Sequence, residues 1–249
     1  MFGGQDADVR RNLVISAGVV AALVLLGLVG GYVYYFTGIR TAPKPLALSS
    51  PSPAASASAS PAATGLAGTW TVGSGSLARY RVNEKFAGQT SNHEAVAETS
   101  TVTGSLTVAG SAGTLQATSA SVVVDLSSLH SVDTVLGYNV TNRDRIVSQS
   151  LSVQQFLQAT FKADPFAIPA GLEAGQTVSL SVPGKLTIHG VTRAVTATIQ
   201  AQLNGASVQA KGTIATVMTD FGISPPQVGI TVVQPQVTIE FLLDLTRTT

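Results

Sequence analysis

The chain has 249 residues, 45% apolar and only 11% charged, with a formal net charge of +1. It contains no cysteine, which excludes a disulfide framework, thiolate catalysis and a thiolate metal site. No basic stripe is present, so the electrostatic footprint of a nucleic-acid surface is missing too.

Residues 1–12 are polar and read as a short cytoplasmic tail. Leu13 to Phe36 follows as an apolar run, with Tyr32, Tyr34 and Tyr35 at its far end. Its length suits a hydrocarbon core of ~30 Å, and the tyrosines suit an interfacial belt. A cleaved signal peptide would have a shorter apolar core and a small-x-small site. The run is therefore read as an uncleaved, single-pass signal anchor. Gly27 and Gly31 read first as ordinary membrane-helix filler. Their spacing is also that of a helix-packing pair, through which copies would self-associate.

Residues 37–64 are dominated by Pro, Ala, Ser and Thr, too polar and too small to bury a core. They are expected to form a disordered linker that holds the following domain away from the membrane, on its extracytoplasmic side.

Residues 65–249 read as all-β. Short runs rich in Val, Thr, Ile and Leu alternate with Gly, Asn, Asp or Pro. The first clear strand, Leu77–Phe86, places Ala78, Tyr80, Val82 and Phe86 on one face and Arg79, Arg81, Asn83 and Lys85 on the other. Glu84 breaks the apolar face. Further strands are predicted near 95–108, 114–125, 159–168, 178–188, 191–203, 207–217 and 236–245. His189-Gly190 and Asn204-Gly205 read as tight hairpin turns. About eight strands result, enough to close a barrel around one small ligand. A sandwich of the same strands is the alternative.

One stretch interrupts the strands. Thr141 to Asp144 fits a capping-box start, Ile146, Ser150, Val153 and Leu157 line up at helical spacing, and Val147 and Leu151 make a second apolar pair. This predicts a short helical cover over one barrel end, breaking near Ser152. Arg143 with Asp144 is read chiefly as fixing the helix start. Arg143 is also a candidate contact for an anionic head group at the barrel mouth.

Catalytic motifs fail on inspection. His93-Glu94 begins like a zinc-protease HExxH helix, but position 97 is alanine. His130 and His189 read as loop and turn residues. Asn142-Arg143-Asp144 and Asp220-Phe221-Gly222 look like kinase fragments, but the Gly-rich loop and the strand lysine are missing. No serine is accompanied by a base and an orienting group. No catalytic residue, metal or cofactor is assigned, and no enzymatic activity is expected.

Several short motifs nevertheless share one order. They are Leu77-Ala-Arg-Tyr80-Arg-Val82, Gly104, Arg143-Asp144, Gln158-Ala-Thr-Phe161, Gly184-Lys-Leu-Thr-Ile-His-Gly-Val-Thr-Arg193, and Asp220-Phe-Gly-Ile223 with Pro225-Pro226. In this order they resemble the YceI-like family of polyisoprenoid-binding, lipocalin-like domains, over about residues 68–245. The resemblance implies an eight-stranded antiparallel barrel whose apolar lumen encloses an isoprenoid, quinone or other lipid-like ligand. Two departures stand out: the membrane anchor with its linker, and Phe156-Leu157 where the family often has an aromatic residue and a proline. The candidate lumen or lid residues are Tyr80, Val82, Phe86, Ile146, Phe156 and Phe161, with Arg143 at the mouth. The expected protein is a membrane-tethered extracytoplasmic binding module. A structural or adhesive envelope module ranks second and a hydrolase third.

Overall fold

A computed structural model describes residues 20–32, 40–49, 65–87, 92–135, 139–229 and 231–248. Ten main strands carry the domain: β1 (Gly68–Val72), β2 (Leu77–Phe86), β3 (His93–Thr99), β4 (Val102–Ala109), β5 (Gln116–Asp125), β6 (Gln158–Ala163), β7 (Val178–Ile188), β8 (Val191–Asn204), β9 (Ser207–Val217) and β10 (Thr231–Arg247). Ten strands fill eight positions. Gly68 pairs with Val108 and Ala78 with Thr99, so β1 and β2 lie in line beside β3 and β4, also in line. From there every neighbour is the next in sequence: β4 with β5, β5 with β6, and so on to β9 with β10. The long β10 then closes the ring on β1 and β2. The result is a closed, antiparallel, up-and-down barrel, which leaves no long open sheet edge in the wall. The sandwich alternative is set aside.

The turns follow local chemistry, with one correction. His189 (φ 52°) and Gly190 (φ 72°) both take positive φ between β7 and β8, as a primed turn requires. At the next hairpin Asn204 still pairs with Ser207, so the turn is Gly205-Ala206, one residue later than expected. Only Gly205 has positive φ (62°), the pattern of a type II′ turn.

Barrel ends differ. At one end Leu66, Trp70, Val108, Leu115, Leu172, Val178, Val208 and Leu245 pack into a filled core. The other end carries the helix α2 (Thr141–Ser150). The expected capping box is corrected. Val140 is the N-cap, and Asn139 Oδ1 instead accepts from the Thr141 N–H (3.0 Å) and hydroxyl (2.6 Å). Asp144 turns away to accept from the Ser131 N–H (2.9 Å) and hydroxyl (2.6 Å), tying α2 to the neighbouring loop. The chain breaks as expected just beyond α2, where Ser152 takes φ 48°.

Two N-terminal pieces are described. Residues 20–32 form a helix, α1, whose side chains are exposed and almost wholly apolar. The rest of Leu13 to Phe36 lies outside the described residues. Among those described, no helix is long and apolar enough to cross a membrane. Residues 40–49 depart from the expected disordered linker. They lie along the outer barrel wall, beginning with Arg40 and Thr41 paired to Val135 and Thr134. Residues 50–64 lie outside the described residues.

Candidate functional site: an apolar cavity with one charged end

Strand alternation aims every second side chain inward. Ala78, Tyr80, Val82 and Glu84 of β2, Val122 and Val124 of β5, Ala159 and Phe161 of β6, Leu186 and Ile188 of β7, Ile214 and Thr216 of β9, and Val237, Ile239 and Phe241 of β10 surround a cavity of about 210 Å³. Helix α2 roofs it with Arg143, Ile146, Val147 and Ser150, one face at i, i+3, i+4 and i+7 spacing, followed by Leu151. The wall is almost entirely aliphatic or aromatic. Close approach shapes it at Gly184: a Cβ there would meet the Lys162 carbonyl oxygen at 2.5 Å and the Phe161 ring at 2.8 Å. Glycine lets that ring lie against the strand.

Polar chemistry gathers at the covered end. Arg143 Nη1 donates to Asp133 Oδ1 (2.6 Å), and its Nη2 donates to Glu84 Oε2 (3.1 Å). Asp133 Oδ1 also accepts from the Val96 N–H (3.1 Å), and its Oδ2 lies 2.7 Å from His93 Nε2. Glu84, His93, Asp133 and Arg143 are all at most 5% exposed. Burial pushes the Asp133 carboxyl up, but the bonds from His93, Arg143 and Val96 outweigh it and hold it at about 2. Glu84 is raised: burial dominates, and the attraction of Arg143 offsets it only in part. Arg143 is raised despite its burial, chiefly by its bond to Asp133 and the charge of Glu84. The Tyr80 phenol, on the cavity wall beside this cluster, is pushed up by burial and stays protonated.

The site thus offers an apolar slot with a phenol donor near one end. The Arg143 cation is already matched by two carboxylates. Its observed contacts pin α2 to β2 and to the Asp133 loop.

The structure brings together Tyr80, Val82, Arg143, Ile146 and Phe161 of the sequence candidates. It places Phe86 beyond the cavity wall, 6.3 Å from the His93 ring. Phe156 stands edge-on to His189 at 5.1 Å, where His189 also bonds the Phe221 carbonyl and the Ser152 hydroxyl (3.2 Å each). Phe156 therefore braces the exit from α2 and does not line the cavity. Sequence reading missed Glu84, Asp133 and His93 as a group. The available signal was Glu84 itself, a carboxylate at an inward-facing parity. His93 and Asp133 also form a histidine–carboxylate pair of the kind a hydrolase would use. Neither lines the cavity, and Asp133 is fully engaged by its three partners. Among the described residues no group of three metal-ligating side chains forms a cation site.

A closed eight-stranded barrel with a helix over one end and an internal apolar cavity defines a lipocalin-like architecture. The profile of the YceI-like domain matches residues 79–245, and the chain belongs to the YceI-like family. Similar solved structures include the following. A polyisoprenoid binding domain from Saccharophagus degradans, implicated in plant cell wall breakdown, aligns at TM-score 0.52 and 15% identity. It covers 72% of this chain and 98% of its own. BcnA of Burkholderia cenocepacia aligns at TM-score 0.45 and 21% identity, over 67% of this chain and 95% of its own. The YCEI protein of Campylobacter jejuni aligns at TM-score 0.35 and 12% identity, over 65% and 83%. Among curated proteins none matches the sequence.

Proposed function

We propose that this chain is a membrane-tethered, extracytoplasmic binding protein for a lipid-like molecule of the isoprenoid or quinone kind, with no catalytic step. The observation that carries the reading is the apolar cavity with a single polar end. Burial of a chain there is worth ~0.8 kcal/mol per CH₂. A relative named for polyisoprenoid binding shares the fold. The exposed, apolar α1 and the length of the Leu13–Phe36 run support the tether.

The cluster also selects the head group. Arg143 is shared between Glu84 and Asp133, so an anionic head would meet a cation already neutralised and two carboxylates that repel it. Tyr80, protonated, donates a hydrogen bond to a neutral oxygen. The favoured head is therefore a hydroxyl or carbonyl, as in a polyprenol or quinone, and not a prenyl phosphate. Calorimetric titration of the full chain in detergent with geranylgeraniol and geranylgeranyl phosphate tests this. The expected result is saturable 1:1 binding of the alcohol with a negative heat-capacity change and at least tenfold weaker binding of the phosphate. Absence of saturable binding for either compound overturns the proposal, and tighter binding of the phosphate overturns its head-group part.

A further inference from the structure

The segment 40–49 crosses the barrel in a definite direction. Arg40 and Thr41 pair with Val135 and Thr134, two residues and one residue after Asp133 and so at the covered end. Pro43 and Lys44 then give their carbonyls to two arginines of the outer β2 face. Arg81 Nη2 donates to Pro43 O (2.7 Å), and Arg79 Nη1 donates to Lys44 O (3.3 Å). Both arginines are held by carboxylates, Arg81 by Glu94 (2.7 Å) and Glu240 (2.8 Å) and Arg79 by Glu98 (2.5 Å). A proline-rich strand suits such a seat, because proline has no N–H to satisfy and leaves its carbonyls for the arginines. Ser49 finishes the crossing against Gln202 and Gln209, beside Asp244. That is the filled end, where Leu66 and Trp70 begin the barrel.

Two consequences follow from connectivity alone. The described chain on either side of residues 50–64, at Ser49 and Leu66, lies at the filled end, so the length of that stretch adds nothing to the distance between barrel and membrane. The chain that separates α1 from the barrel is instead residues 33–39. From Tyr32 to Arg40 it spans at most about 28 Å at ~3.5 Å per residue, and it arrives at the covered end.

That end carries the matching surface. Outside α1, the large exposed hydrophobic residues among those described are Leu157 (55%) and Val232 (48%). Leu157 accepts from the Leu126 N–H at the cavity rim, and Val232 pairs with Lys85 on the strands leaving that rim. Arg145 of α2 and Lys85 are exposed at the same end. Carboxylates share this rim, Asp125 pairing with Gln158 beside Leu157, so it is the exposed apolar side chains that fit the interface of a bilayer.

We propose that the strap and short tether hold the covered mouth of the barrel against the lipid surface, so that ligand passes between the bilayer and the cavity beneath α2. This rests on reading Leu13 to Phe36 as a membrane anchor. The chain is free of cysteine, so single-cysteine variants report position cleanly. Val24→Cys, Leu157→Cys and Ala206→Cys of the full chain are labelled with bimane and reconstituted into phosphatidylcholine vesicles with or without nitroxide lipids. Expected are loss of fluorescence at positions 24 and 157 and none at 206, on the filled-end hairpin. Quenching at 24 with equal signals at 157 and 206 overturns the orientation and leaves the anchor standing. No quenching at 24 overturns the anchor reading and the orientation with it. Inserting a ~20-residue Gly/Ser segment between Ile39 and Arg40 is expected to relieve quenching at 157 but not at 24. Unchanged quenching at 157 in that variant refutes the tether as its cause.

Discussion

Replacing Asp133 by asparagine strikes the group that joins α2 to the barrel. The carboxylate is 2% exposed and receives Arg143 at 2.6 Å, the Val96 N–H at 3.1 Å and His93 at 2.7 Å. Asparagine keeps the shape and removes the charge, leaving Arg143 to Glu84 alone. With its pKa at about 2 in the folded chain, against ~3.9 unfolded, the aspartate contributes roughly 2–3 kcal/mol above pH 4. Breaking a buried pair by removing one partner raises the cost to ~3–5 kcal/mol. For a domain of this size the melting temperature should fall by ~6–20 °C at pH 7. The sign with pH is fixed by the depressed pKa: the stabilisation is complete above about pH 4 and is lost as pH falls through about 2. Glu84 runs the other way, since its raised pKa makes the folded state gain as it protonates. The wild-type profile alone mixes the two; the difference between wild type and Asp133→Asn reports Asp133 together with its coupling to Glu84 through Arg143. Thermal unfolding of both proteins from pH 2 to 7 provides that difference. A gap below ~0.5 kcal/mol at pH 7, within the range of ordinary surface substitutions, or a gap that does not narrow below pH 4, refutes the role given to Asp133.

Three further outcomes are expected. Val124→Trp puts an indole into the cavity, so ligand retention in the detergent titration should fall at least tenfold while thermal stability holds or rises. Gly184→Val drives a side chain into the Lys162 carbonyl and the Phe161 ring, costing ~1–3 kcal/mol in a denaturant titration. Asp144→Ala leaves the Ser131 N–H without its acceptor and loosens α2, lowering stability by ~1–3 kcal/mol and speeding ligand release in stopped-flow exchange.

The barrel was legible in the sequence because a strand buried on one face announces itself by period-two alternation. All eight positions appear near the predicted ranges, and Tyr80, Val82 and Phe161 point inward as their parity implies. The helix was legible from the spacing of Ile146 with Ser150 and Val147 with Leu151, but it ends at Ser150, short of Val153 and Leu157 that were read with it. Its capping was not, because Asp144 found a partner in Ser131, thirteen residues upstream, which outcompeted the local bond. Glu84 showed itself as an anomaly in the apolar face, yet its meaning lay 59 residues away in Arg143. Nothing local to His93 or Asp133 reports their 40-residue pairing. Phe156 has the character of a lumen residue, and only the position of the His189 turn shows that it braces the cover. The strap was hidden for a related reason. Low-complexity sequence cannot bury a core alone, but Pro43 and Lys44 meet arginines whose spare donors need carbonyls.

The cavity is proposed to hold a neutral-headed, chain-like lipid. Mass spectrometry of organic extracts from the full-length protein purified in mild detergent tests it most directly, with Val124→Trp purified alongside. Expected is one predominant isoprenoid alcohol or quinone near one equivalent per chain, depleted in the tryptophan variant. Extracts with no lipid beyond the detergent blank, or the same lipid at the same level in both proteins, would contradict it.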